Sequence, residues 1–192
     1  MTDDEWKIID HSVNVALAHA WQWAVAVRAQ VARVVEGSGS LQQIPDAFLL
    51  IIAVRNVRRA ADMALRHLTN TAAKDQLREA LNDFEAALPG VVNARDVLEH
   101  FDDYSLGVGN LQQPTTRKQQ RAADEELAQQ YRIEFEHIDN DRQRPRIRIG
   151  PHLLDLDAAG RAASLLVYEV WAAVMTDEGR PVSRQAIAAF LR

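Results

Sequence analysis

The only strand signal in this chain is YRIEFEHIDNDRQRPRIRIG, residues 131–150. Residues 131–138 alternate apolar and polar, DND supplies a turn, and residues 144–150 alternate again. A period of two sends successive side chains to opposite faces, so this stretch is expected to form a β-hairpin with one face on a core. Ile133 and Phe135 should face inward with Ile147 and Ile149. Glu134 and Glu136 are placed to pair across the hairpin with Arg146 and Arg148, each pair contributing roughly 0.2–1 kcal/mol. The arginines of RQRPRIR, 142–148, fit contact with RNA phosphates and equally fit an edge strand protected by charge.

Outward from the hairpin the periodicity is helical. Downstream, Asp157 is placed to cap a long helix over about 158–176, with Leu165, Leu166, Val170, Trp171 and Val174 as its core face. Gly179 and Pro181 stop it, and 180–192 reads as a short terminal helix or tail. Upstream, 105–130 is rich in Gly, Gln and Thr and then charged, which suggests a mobile loop with a short helix in ADEELAQQ. Residues 3–35 repeat apolar positions at three- and four-residue steps, from Trp6 and Ile9 to Val31 and Val34, with Asp3, Asp4 and Glu5 at the positive end of the helix dipole. GSGS at 37–40 ends that helix. Pro45 and Asp46 open a second over 45–69, in which AFLLIIAV, 47–54, is apolar all round and reads as the most buried segment of a bundle. A third covers 72–88, with Leu77, Leu81, Phe84 and Leu88 on one stripe. Pro89-Gly90 breaks the chain before a fourth over 91–104. The expected fold is mainly α, a bundle of four to five helices with a small inserted β-hairpin (about 131–150) before the last long helix, in a single domain spanning 1–192.

Composition narrows the function classes. The chain has 192 residues, 47% of them hydrophobic, enough for a real core. There is no cysteine, which removes disulfides and thiolate metal sites and suits a reducing cytoplasm. The first residues are acidic rather than signal-like, and the longest apolar run is far too short to span a bilayer. A soluble cytoplasmic protein is expected. A net charge of −5 argues against a general nucleic-acid coat but leaves room for a local basic site. Arginine supplies almost all the positive charge, as a high-GC bacterial coding bias would, so arginine number alone is not evidence for phosphate binding. Trp21 and Trp23 read as core or dimer-face residues, because a base-stacking surface usually comes with a basic groove.

The chemistry concentrates in VVNARDVLEHFDDYSLG, residues 91–107, where Arg95, Asp96, Glu99, His100, Asp102 and Asp103 crowd a few helical turns. Asp96 and His100 are four apart and share a face, so Asp96 can fix the imidazole tautomer and leave the other nitrogen free as a base. Arg95 and His100 lie about 140° apart round a straight helix. One helix cannot easily bring both to a single phosphate, whereas two copies facing across a two-fold axis supply one residue each.

The pattern Arg95-Asp96-x-x-x-His100, on an all-helical chain of this size, resembles the HEPN superfamily of small helical-bundle domains. Two other arginines stand at similar spacing before a histidine, Arg132 before His137 and Arg146 before His152. Both fall in the hairpin region and both are followed by isoleucine. The resemblance covers the helical portion. It implies a homodimer and a metal-independent endoribonuclease of a bacterial toxin–antitoxin or defence system, with RNA as substrate, an antitoxin or other protein as partner, and no cofactor. In that reading His100 deprotonates a ribose 2′-OH, Arg95 stabilises the phosphorus centre, and Asp96 orients His100. Arg55, Arg58 and Arg59 on the second helix are the candidate substrate-binding residues that would offset the acidic neighbours.

Three alternatives stand beside it. The acidic cluster fits the solvated end of a helix. Asp96 and His100, with Asp103 or Glu99 and the first helix's His11 and His19, suggest a metal-binding bundle. Arg95 and Glu99 also form an ordinary i,i+4 surface pair, with His100 a surface histidine of a non-catalytic binding or dimerisation module.

Overall fold

The computed structural model describes residues 12–37, 40–112, 125–138, 141–180 and 182. Residues 3–11 of the first expected helix, 113–124 of the expected loop and 183–192 of the expected terminal segment lie outside the described residues. In chain order the elements are α1 (Ser12–Glu36), α2 (Gln43–His67), α3 (Thr71–Ala87), α4 (Val91–Glu99), α5 (Phe101–Ser105), α6 (Glu125–Gln130), β1 (Ile133–Ile138), β2 (Asp141–Ile149), β3 (His152–Asp155) and α7 (Leu156–Asp177). The chain is mainly helical, with a small antiparallel sheet ahead of the last long helix.

The long helices pack through their apolar stripes. α1 and α2 meet along most of their length, with Ala16, Ala20 and Ala24 facing Ala53, Ala60, Ala61 and Ala64 in the shared core. Alanine at four-residue steps lets two backbones approach closely. α7 lies against α1, α2 and α3, burying Leu166, Val167, Val170 and Val174. Each such fully buried aliphatic side chain contributes about 1.5–3 kcal/mol. Polar ties fix the ends: Asp177 Oδ1 at the close of α7 accepts from the backbone N–H of Thr69 (2.7 Å) and Asn70 (2.6 Å), and Asn70 in turn caps α3 through Ala72 N–H.

The hairpin puts the expected residues on one face, with Ile133 opposite Ile149, Glu134 opposite Arg148, Phe135 opposite Ile147 and Glu136 opposite Arg146. Ile147 and Ile149 are buried, and Ile133 and Phe135 pack partly buried against them. The expected cross-hairpin ion pairing is met in part. Arg148 reaches diagonally to Glu136, holding its carboxyl below the ordinary value, while Arg146 turns the other way to Asp155, 3.5 Å off. That partner sits on β3, a third strand the alternation does not announce. Residues 152–155 are HLLD, too short and too apolar to alternate, and they follow β2 after only Gly150-Pro151. Asp155, not Asp157, caps the last helix, accepting from Ala158 N–H at 2.9 Å.

Two further expectations are corrected. AFLLIIAV is not buried all round: Leu50, Ile51, Ala53 and Val54 are in the core, while Phe48, Leu49 and Ile52 are more than a third exposed. Among the described residues α2 is covered on one side along this stretch. The helix expected over 91–104 is broken at His100, whose backbone (φ −118°, ψ 38°) leaves helical geometry and separates α4 from α5. Gly90, ahead of α4, sits at φ +83°, a left-handed conformation that only glycine adopts without strain. It sets the direction in which α4 leaves α3.

Candidate functional site

α4 buries Val91, Ala94 and Val97 against α2 and β3 and turns the intervening Arg95, Asp96 and Glu99 outward. The 3.6-residue period therefore assigns the chemistry-bearing residues to the free side. Arg95 pairs with Glu99 one turn on. His100 Nε2 lies 3.8 Å from Asp96 Oδ1, close enough for attraction and too far for a hydrogen bond. His100 is half exposed.

Tyr104, which the sequence pattern did not single out, organises the site. Its ring is buried, its hydroxyl donates to Asp96 Oδ2 at 2.9 Å, and the same oxygen accepts from Leu111 N–H at 3.2 Å. Burial, together with the neighbouring Asp96 carboxylate, pushes the phenol well above its ordinary range, so it stays a donor. On an unbroken helix these two residues would be about 12 Å apart along the axis. The break at His100 makes room for the bond. Gln112 Nε2 donates to the Tyr104 carbonyl and Val108 N–H to the Asp103 carbonyl, so 105–112, the start of the expected loop, is knitted back onto α5.

The three arginines expected to bind substrate have different fates. Arg58 joins Asp62 on its own helix and Glu85 on α3, the latter at 2.6 Å, and so serves to fasten α2 to α3. Arg59 is exposed and has no ion-pair partner among the described residues. Arg55 is the unusual one. Its Nε and Nη1 are shut off from solvent and have no hydrogen-bond partner among the described residues. Burial, then the positive charges of Arg58, Arg59 and Arg95, lowers its pKa from the ordinary value against a smaller opposing pull from Asp62. The structure thus brings Arg55 within electrostatic reach of Arg95. Buried polar groups are nearly always paired, so two unpaired guanidinium nitrogens beside like charges call for an explanation.

α2 carries this cluster at the end of a single stripe. Leu41, Ile44, Phe48 and Ile52, then Arg55 and Arg59, recur at steps of three and four residues, first apolar and exposed, then basic. Phe101 on α5, 69% exposed, lies across a groove from Ile44 and Phe48. The α4–α5 stretch itself is acidic, with Arg95 against Asp96, Glu99, Asp102 and Asp103. Among the described residues no three His, Asp or Glu side chains converge as a metal site would require, and no helix is long and apolar enough to cross a membrane. His11 lies outside the described residues, and His19 sits on α1 in a separate groove. No protein-family model, no characterised protein and no solved structure matches this chain.

Proposed function

We propose that this chain is an RNA-acting helical protein similar to the HEPN superfamily, working as a two-fold homodimer that cleaves RNA without a metal ion. The observation that supports this reading best is the cluster of Arg55, Arg58, Arg59 and Arg95, in which two Arg55 nitrogens have no hydrogen-bond partner among the described residues. A phosphodiester beside this cluster would relieve its like-charge repulsion. His100, half exposed beside Asp96, takes the 2′-OH proton; Arg95 stabilises the charge developing at phosphorus; the 2′-oxygen displaces the 5′-oxygen and leaves a 2′,3′-cyclic phosphate. The exposed Arg95–Glu99 pair contributes only about 0.3–0.5 kcal/mol, weak enough for a phosphate to displace Glu99. A bacterial toxin or defence RNase held in check by a protein partner in the cytoplasm is the setting this chemistry fits.

A second reading is a non-catalytic dimerisation or binding module. It is favoured by the exposed apolar run Ile44, Phe48 and Ile52, and by Arg95 already having a partner in Glu99. One experiment separates the two. Purified protein is incubated with a panel of RNAs, with and without chelator, and products are tested for a cyclic phosphate end. Cleavage should resist the chelator and fall by roughly 10²–10⁴-fold in His100→Ala. Arg95→Lys, which loses the planar fork, should also be poor, and Asp96→Asn milder. Cleavage that survives His100→Ala, or a monomer by light scattering, overturns the RNase reading.

A further inference from the structure

A second groove lies between α1 and the C-terminal half of α2, and it shares Arg59 with the basic cluster around Arg55. It is a groove of ≈ 530 Å³ whose walls include His19 and Trp23 from α1 and Asn56, Arg59, Arg66 and His67 from α2. His19 and Trp23 are four apart, and the α2 residues fall at steps of three, four and seven, so one face of each helix builds it. The volume is within the range of small-ligand pockets. Met63 adds an apolar wall.

The electrostatics are those of an anion site. Among the described residues no carboxylate lines the groove. The nearby Asp62 is held by Arg58 on the side facing α3. Residues 12–67 carry six arginines against three carboxylates, in a chain whose net charge is −5. Positive charge is therefore concentrated on α1 and α2, and the groove gathers it beside an aromatic ring. Trp23 is partly buried against the core, so its indole is held in place at low entropic cost. Arg66 Nε is tied to the Asp62 carbonyl at 3.2 Å, which fixes the stem of one of the two arginines.

We propose that the α1–α2 groove binds a nucleotide, with its phosphate on Arg59 and Arg66 and its base against Trp23. The shared chemistry admits two sources, a free mononucleotide or one residue of a single-stranded RNA. The inference does not depend on cleavage at Arg95 and His100, because the test reads binding alone.

The probes are AMP, adenosine and inorganic phosphate by calorimetry, and a fluorescein-labelled single-stranded oligoadenylate by anisotropy, with melting temperature confirming that each variant is folded. AMP should bind more tightly than adenosine or phosphate if the free nucleotide is the source; oligoadenylate alone should bind if the strand is. Arg59→Gln/Arg66→Gln, both on exposed positions, should weaken the binding at least tenfold. For oligoadenylate it should also lower the slope of log affinity against log salt by about 1.4, two phosphate contacts' worth. Trp23→Leu should weaken AMP or oligoadenylate by about tenfold while leaving inorganic phosphate unchanged. Failure of both AMP and oligoadenylate to bind the wild-type protein, or equal binding by the arginine double variant, overturns the proposal.

Discussion

Replacing Gly90 by alanine tests how α4, and with it Arg95 to His100, is aimed. Gly90 holds φ at +83°, where an L-residue costs roughly 1–2 kcal/mol. A Cβ added there would stand 2.1 Å from His152 Nδ1 and 2.9 Å from His152 Cβ. Rotating the imidazole could move the ring but not the Cβ, so β3 must also give, at a typical overpacking cost of about 1–3 kcal/mol. The lower entropy of the unfolded alanine chain returns about 0.4–1 kcal/mol. The net expectation is a loss of about 1–4.5 kcal/mol, a large share of the 5–15 kcal/mol typical of folded domains. Urea unfolding followed by far-UV circular dichroism measures it, with an unchanged m-value showing that the denatured state is not responsible. A double-mutant cycle with His152→Ala divides the cost. With the ring gone, the alanine should cost the conformational part plus what the remaining Cβ at 152 imposes, leaving a coupling of up to about 3 kcal/mol. A loss below about 0.5 kcal/mol in the single variant, or the same cost in both backgrounds, would refute the contact between Gly90 and β3.

Tyr104→Phe removes the donor to Asp96 and the acceptor for Leu111 N–H while keeping the buried ring, so stability should fall by about 1–3 kcal/mol in the same urea assay; no change would mean the hydroxyl is not the organiser of this corner. His152 gives a pH prediction. Burial lowers its folded pKa from 6.5, so the unfolded chain binds the extra proton first. The stability it confers is fully present above about pH 6.5 and is lost as pH falls from there through the lowered folded value. The melting temperature should therefore drop between neutral and mildly acidic pH, and His152→Gln should flatten that part of the profile; an unchanged profile would refute it.

The helices and the hairpin were legible in the sequence because their signals are local. Apolar residues at three- and four-residue steps marked α2, α3 and α7 to within about two residues at each end, and alternation fixed which hairpin residues share the inward face. The Arg95–Glu99 pair, an i,i+4 spacing, was legible for the same reason. What depended on distant residues was not. Arg58 and Arg55 look alike in sequence, yet one meets Glu85, 27 residues on, and the other has two buried nitrogens with no hydrogen-bond partner among the described residues. Arg146 finds Asp155 only because a third strand, silent in the pattern, pairs with β2. AFLLIIAV has the same composition on every side, and only the placement of α1, α4 and α7 decides that Phe48 and Ile52 stay outside. His100 stands at a break because Tyr104 buries its ring and reaches back to Asp96. Trp23 reads from sequence as a core or dimer-face residue, and only the packing of α2 lays Arg59 and Arg66 beside it. Periodicity is a property of one segment and can be read from it, whereas the partner of a charge or the cover of an apolar face is set by which segments the packed chain brings together.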